Sequence, residues 1–474
     1  MEKDVQRGGI KDKEVFALPV GERWLVAAPL HGLTALVDRA AVRQLRAGLQ
    51  DGQVRVSRPV EPVLLALRGE PKHHPQAISG PPGEPTFLGL VTTRACNMGC
   101  RYCDFAAPKQ ASPAMEFDLA RQAVLGYLEL LARSQTPNGQ IHFFGGEPFV
   151  TAKLIHAVIE FARLEAAARS IRLDFEAITN GLYPADRARW IADHFQTIVL
   201  SLDGPADLQD RNRPAVNGHA VFNQVDRSAR IFARSQAELI LRACVTADAA
   251  PRLPQIAAWM ADEYQPAAIC FETLTPSALS LAARLAPPDP WEFARSFEAA
   301  RVLLAARGIE AVLSTADLKK IQVNFCPVGK DALIVTPDGK INVCYLLEND
   351  WIECGLDFTI GKVDLAAPNG GERLKIDLEK LQAARNMVVD RRSLCANCFC
   401  RFTCAGGCYV RHDTSRPPGE YDDICVQTRL VTLSQLLEQV NLPGLWAGWW
   451  QDRAAQERAV WQADDRLLRE GWDG

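Results

Sequence analysis

Hydrophobic positions near the start of the chain come in short runs separated by turn residues. Val15 to Leu18, Trp24 to Pro29 and Leu33 to Val37 read as three strands, with Gly21 and Gly32 at the turns. Asp38 is placed to cap a helix running through Val42 and Leu45 to Leu49, and a second short helix is predicted from Glu61 to Leu67. Residues 1–68 therefore read as a small α+β module. Residues 69–85 hold five Pro and three Gly in 17 positions, which predicts a linker in which His73 and His74 are solvated.

From Thr86 the pattern changes to strand alternating with helix. Strand-like runs are Phe87 to Thr92, Gln140 to Phe144, Leu173 to Ile178, Thr197 to Leu202, Leu239 to Val245 and Ala267 to Phe271. Between the first two, Ala120, Val124, Leu128 and Leu131 recur at helical spacing on one face. Six such pairs predict an α/β domain over 86–285, a partial (β/α)6 TIM-like barrel whose chemistry gathers at the C-terminal ends of the strands. Phe293, Phe297, Ala300 and Leu304 continue at helical spacing, so 286–324 reads as a bridging helical region without obvious chemistry.

Length and composition add limits. A chain of 474 residues accommodates two or three domains, and 48% hydrophobic with 23% charged residues is ordinary for a globular protein. A net charge of -4 gives no reason to expect nucleic acid or an anionic membrane as a partner. The charged start, Met1 to Gly9, has neither a signal-peptide core nor a membrane anchor, so a cytoplasmic location is expected. There, 14 cysteines suit metal ligands better than a disulfide framework. Cys244 and Cys270, in apolar runs, are expected to be buried core thiols.

Cys96, Cys100 and Cys103 follow the first barrel strand at C-x3-C-x2-C spacing. Three thiolates hold three corners of a cubane iron–sulfur cluster and leave one iron open to a ligand, which is a catalytic layout. The spacing resembles the signature of radical S-adenosylmethionine (radical SAM) enzymes. The resemblance implies that the open iron is chelated by the amino and carboxylate groups of S-adenosylmethionine, and that one electron then releases a 5′-deoxyadenosyl radical. It places Tyr102 near the adenine. Gly145, Gly146, Glu147 and Pro148, ending the second strand, match the family's G-G-E-P motif at the cofactor's amino group. Asn180 in Thr-Asn-Gly ends the third strand, and Ser201 and Asp203 at the fourth match positions for the ribose and methionine ends. Arg213, in Asp-Arg-Asn-Arg-Pro, is implied to pair with the cofactor's carboxylate. For Arg242 and Glu272, at the next two strands, core or rim ion pairing is the expectation, with Glu272 a catalytic candidate.

A second cysteine field begins at Cys326. The series Cys326, Gly339, Cys344, Cys395, Cys398, Cys404, Cys408 and Cys425 resembles the SPASM extension of certain radical SAM enzymes, which carries two auxiliary 4Fe–4S clusters. Thr336-Pro337-Asp338-Gly339 is a turn sequence between apolar runs 332–335 and 341–343, which predicts a hairpin that brings Cys326 and Cys344 together. The resemblance assigns Cys395, Cys398, Cys404 and Cys425 to the distal cluster. Cys326, Cys344 and Cys408 go to the nearer one, whose fourth ligand is either Cys354, with Cys400 and Asp331 in reserve, or the substrate. Paired C-x2-C motifs also build zinc ribbons, but zinc explains neither G-G-E-P nor the open triad. Residues 325–425 thus read as a cysteine-rich iron–sulfur domain and 426–474 as a helical tail. Its Trp446, Trp449, Trp450, Trp461 and Trp472 are expected to pack across the barrel or an oligomer interface.

The resemblance implies a peptide or protein substrate, three 4Fe–4S clusters, S-adenosylmethionine and an external one-electron reductant of the flavodoxin or ferredoxin type. Anaerobic sulfatase-maturing enzymes of this family place an aspartate base after the second SPASM cysteine. Here Tyr345 stands there, which argues against formylglycine formation and makes Tyr345 a catalytic candidate. The N-terminal module resembles the leader-peptide recognition modules of maturases that crosslink ribosomally made peptides. A radical dehydrogenase of a small alcohol or amino sugar is the alternative, and a non-catalytic multi-cluster electron carrier the reading from a different class.

Overall fold

The structure, a computed structural model, describes residues 15–469 apart from 77–86, 104, 106–112, 327, 329–331, 368–370, 388, 390–391, 413–415 and 441–446. Most of the expected linker, Asp331, Trp446 and Trp472 therefore lie outside the described residues. The chain forms two compact units, one of residues 1–76, 315–325 and 388–474, the other of 77–314 and 326–387.

In the first unit, β1 (Phe16–Val20), β2 (Arg23–Ala28) and β3 (Leu33–Val37) form an antiparallel sheet. The Asp38 side chain accepts from Ala41 N at 2.7 Å and starts α1 (Arg39–Gln50) as predicted, followed by α2 (Glu61–Arg68). Val42, Leu45, Leu64 and Leu67 bury against Val15, Ala17 and Val26. Where the sequence predicts tail packing on the barrel or an interface, residues 465–467 add to the edge of β1. Ala17 N donates to Asp465 O, Leu467 N donates to Val15 O, and Leu467 enters the small core. An unpaired strand edge offers a row of backbone donors and acceptors, and the chain's own end satisfies this one.

The second unit carries an 11-stranded sheet in the order β10-β9-β8-β7-β6-β5-β4-β11-β12-β13-β14. The six predicted barrel strands are β4 (Leu88–Val91), β5 (Asn138–Phe144), β6 (Arg172–Thr179), β7 (Thr197–Ser201), β8 (Glu238–Val245) and β9 (Ala268–Thr273), all parallel. Helices α3 (Phe117–Arg133), α4 (Ala152–Ala167), α5 (Ala185–His194), α6 (Ala206–Asn212), α7 (Phe222–Ala233) and α8 (Leu253–Tyr264) lie along the connections. This is the mixed α/β, mostly parallel architecture of a partial TIM barrel.

The region read as a helical bridge holds α9 (Pro290–Ala305), capped by Asp289, and then a strand, β10 (Glu310–Val312), parallel to β9. Three residues are too few to show a period of two, so the helical spacing beside them hid the strand. On the far side, β11 (Leu333–Val335) runs parallel to β4. It turns through Gly339, at φ 84°, into β12 (Lys340–Asn342), so the predicted hairpin is present. Strands β13 (Thr359–Val363) and β14 (Leu374–Ile376) complete the antiparallel edge.

Alternation along β8 and β9 buries Leu239, Leu241, Ala243, Ile269 and Phe271, and leaves Arg242, Cys244, Cys270 and Glu272 on the other face. Cys244 and Cys270 are therefore half-buried residues of the barrel's inner face, not the core thiols predicted. Their apolar neighbours are the alternate, outward positions.

Candidate active site at the strand ends

The triad loop is built from backbone. Gly146 N donates to Thr93 O at 3.0 Å and Glu147 N to Ala95 O at 2.9 Å, lacing the end of β5 to the loop. A Cβ at Gly145 would lie 2.2 Å from Thr93 O, and one at Gly146 would lie 2.2 Å from Ala95 O. Glycine is thus required at both positions by the approach of two backbones, and Gly145 also sits at φ 153°. Gly99 N donates to Pro214 O, Arg101 N to Asn212 O and Val216 N to Asn97 O, so the segment after α6 holds the other side.

Side chains then fix the first thiol. Asn180 Nδ2 donates to Asn97 Oδ1 at 2.9 Å and lies 3.5 Å from Cys96 Sγ, while Asn97 Nδ2 donates to Leu182 O. The Glu147 carboxylate accepts from Phe149 N, Thr179 Oγ1 and Asn180 N. Burial pushes its pKa up to about 7 against those three hydrogen bonds. Pro148 opens the turn after it, its carbonyl accepting from Thr151 Oγ1.

A second cluster joins three expected cofactor residues. Tyr102 Oη donates to Asp203 Oδ2 at 2.6 Å and accepts from Arg213 Nη1 at 2.8 Å, with Arg213 Nη1 also 3.6 Å from Asp203 Oδ1. Asn212 Nδ2 and Cys244 N complete the carboxylate's partners. Among the described residues Arg213 Nε is buried without a hydrogen-bond partner.

Ser201 and Arg242 are register partners on β7 and β8, and Arg242 and Cys270 on β8 and β9. The core or rim ion pairing expected for Arg242 and for Glu272 is absent among the described residues. Arg242 is exposed, and Glu272 Oε1 is taken by Ser314 N, Ser314 Oγ and Cys270 Sγ. Ser314, just past β10, could be placed there only once that strand was known. Tyr345 lies against the Phe144 ring with centroids 4.5 Å apart, its buried hydroxyl facing Gly89 and unpartnered among the described residues. Burial pushes that phenol's pKa well up, so it is no base at neutral pH.

In the other unit Cys395, Cys398, Cys404 and Cys425 line one cavity together with Cys400, His412, Tyr421 and Arg429. All four expected distal ligands are thus brought together, and Cys400, a reserve ligand for the nearer cluster, lies with them. Cys326 and Cys344 belong to the barrel unit and Cys408 to this one, and Cys354 is exposed after a short helix at Glu348–Ile352. His412, Arg429 and Asp465 were missed in the sequence. The one signal was spacing, since Cys425 and Arg429 are four apart on a helix over Asp423–Gln439.

The donor sets suit iron–sulfur clusters. Burial pushes Cys96 up to about 12, with Glu147 adding to it, and Cys100 up to about 11. Burial likewise takes Cys395 to about 12 and raises Cys404 and Cys425. Cys398 goes the other way, lowered to about 7 chiefly by its hydrogen bond with Cys400, and the raised thiols become ligands only as a bound cation displaces their protons. The orphaned Arg213 Nε suits an anionic group beside the triad.

Residues 90–240 match the family model for the Radical SAM superfamily. A cysteine-type anaerobic sulfatase-maturating enzyme of Clostridium perfringens is 22% identical over 174 residues, 36% of this chain and 47% of that protein. A serine-type anaerobic sulfatase-maturating enzyme of Klebsiella aerogenes is 28% identical over 152 residues, 31% of this chain and 36% of that protein. The match thus spans about half the length of these curated relatives or less. A solved structure described as native anSMEcpe with bound AdoMet covers 75% of this chain and 99% of its own, at TM-score 0.58 and 16% identity, which shows a shared fold. No helix among the described residues is long and apolar enough to cross a membrane. The chain carries a radical SAM domain over residues 90–240 and is homologous over part of its length to the anaerobic sulfatase-maturating enzymes.

Proposed function

We propose that the chain is a radical SAM maturase that takes hydrogen from a ribosomally made peptide and installs a crosslink or another oxidative modification. The observation that carries this is the closure of the triad loop on successive strand ends, with Asn180 beside Cys96 and an Arg213 Nε that has no partner among the described residues. When bound, a 4Fe–4S cluster and S-adenosylmethionine supply a 5′-deoxyadenosyl radical. Cys96, Cys100 and Cys103 hold the cluster. Arg213 takes the cofactor's carboxylate, the Gly145–Pro148 turn its amino group, Tyr102 its adenine, and Asn180, Ser201 and Asp203 the remaining polar edges. Cys395, Cys398, Cys404 and Cys425 hold a second cluster; the SPASM resemblance implies a third on Cys326, Cys344 and Cys408, with either Cys354 or the substrate as fourth ligand. A flavodoxin- or ferredoxin-type protein supplies the electron, and the N-terminal module grips the leader.

A peptide substrate is supported by a solved neighbour described with bound AdoMet and the Kp18Cys peptide. Formylglycine formation is not favoured, because the position of the aspartate base is Tyr345. Reconstituted, reduced protein with S-adenosylmethionine is expected to give 5′-deoxyadenosine and a core peptide lighter by two hydrogens per crosslink. A variant with Cys96, Cys100 and Cys103 all changed to Ala that retained this activity would sink the reading.

A further inference from the structure

The distal cysteine cavity contains a fully buried ion pair that touches sulfur. Arg429 and Asp465 side chains are 1% and 0% exposed, with Nη1 donating to Oδ2 at 2.8 Å and Nη2 to Oδ1 at 3.1 Å. The guanidinium is clamped between rings, 4.7 Å from the Phe399 centroid and 4.4 Å from that of Tyr421. Nη2 also donates to Ala459 O, and Phe399 N donates to Asp465 Oδ2. The planar group is held on both faces and at both Nη atoms, and Nη1 also donates to Cys398 Sγ at 3.1 Å.

An ion pair that only held the chain together would need no sulfur contact. Here the same nitrogen, Nη1, donates both to Asp465 and to a ligand thiol, and the carboxylate stands behind the guanidinium. The pair is neutral overall but oriented, positive end toward sulfur. A donor to a ligand sulfur withdraws electron density and favours the reduced, more negative form of a cluster. Burial makes the effect larger, because no water screens the dipole. His412 Nε2, 3.0 Å from Cys425 Sγ, lines the same cavity.

We propose that Arg429, aimed by Asp465, is a positioning residue that raises the reduction potential of the iron–sulfur cluster on Cys395, Cys398, Cys404 and Cys425. This rests on the cluster assignment proposed above. The step concerned is uptake of one electron, with no bond made or broken.

The test uses the full chain with Cys96, Cys100, Cys103, Cys326 and Cys344 changed to Ala, so that only the distal set holds iron. It is titrated with dithionite and followed by electron paramagnetic resonance. Removing one partner of a buried pair strands the other, so the comparison is with the double variant Arg429→Met/Asp465→Asn. That variant is expected to lower the reduction equilibrium at least about tenfold, which is about 59 mV for one electron. Arg429→Lys, which keeps charge but not the fork, is expected to fall between. In the parent, 15N in the arginine guanidinium is expected to show hyperfine coupling to the reduced cluster. Full iron content with an unmoved potential overturns the proposal and leaves the cluster assignment standing. If the double variant loads no iron the 15N coupling decides, and its absence overturns the proposal. A parent chain that binds no iron at the four cysteines overturns both readings.

Discussion

The two cysteine sites that the structure assembles are supported in different ways. The Cys96–Cys103 loop is held by main chain, through Thr93, Ala95, Asn97, Gly99 and Arg101 against the ends of neighbouring strands, and its thiols are half-buried. The distal set is buried and held by side chains, with Arg429–Asp465 on one side and His412 between Cys425 and Asp422 on the other. A backbone cradle with three thiols leaves a face through which a ligand can enter. A buried four-thiol cavity lined by ions does not, and suits electron storage better than bond breaking. The difference teaches that the number of cysteines matters less than what surrounds them.

The contrast breaks most severely at Asp465. Asp465→Ala leaves Arg429 as an uncompensated buried cation and removes the acceptor of Phe399 N, so roughly 3–5 kcal/mol of stability is expected to be lost. Denaturant unfolding under anaerobic conditions measures it. A loss no larger than that of an exposed pair would mean the cavity is not sealed as described.

At the triad the corresponding test is Gly146→Ala. The added Cβ would meet Ala95 O and Arg94 O at 2.2 and 2.5 Å, both backbone atoms that cannot swing aside. We expect a cost of about 3 kcal/mol in stability. The triad is expected to shift enough to lower 5′-deoxyadenosine formation about 100-fold or more. Near-normal formation would show that the loop is not set by this backbone contact.

Much of this was legible because it is local. Periodicity found all six barrel strands, and Asp38 and the 336–339 turn stood where side-chain chemistry put them. What stayed hidden required tertiary structure. Nothing in the sequence says that Glu272 binds Ser314, since their meeting depends on the three-residue strand β10 lying beside β9. Nor does it say that Asp465 reaches back to Arg429 while its backbone carbonyl accepts from Ala17. Cys244 and Cys270 show the limit of apolar runs, which do not reveal which face of a strand is covered.

The smallest expected effect concerns charge on the barrel's inner face, where the support is neutral. His142 stacks on Phe87 with centroids 4.1 Å apart, and its Nδ1 lies 3.6 Å from Glu176 Oε1. Burial lowers the imidazole from 6.5 to about 4, and burial, with Glu238 adding, raises Glu176 from 4.5 to about 7. Between these values the folded pair is uncharged: a proton sits on the carboxyl and none on the ring. The unfolded chain releases the Glu176 proton above 4.5 while the folded chain keeps it, so this group makes stability fall as pH rises toward 7. The unfolded chain holds the His142 proton up to 6.5 while the folded chain has lost it above 4, so this group makes stability rise over the same range. The two slopes oppose each other and the native profile is expected to be nearly flat there. His142→Phe keeps a ring against Phe87 and removes the rising term. Stability of the variant should then fall by about 1–2 kcal/mol between about pH 5 and about pH 7 relative to the parent. Denaturant unfolding at those two pH values reads the difference directly, and parallel profiles would mean that the pair is charged, as the ions of the distal cavity are.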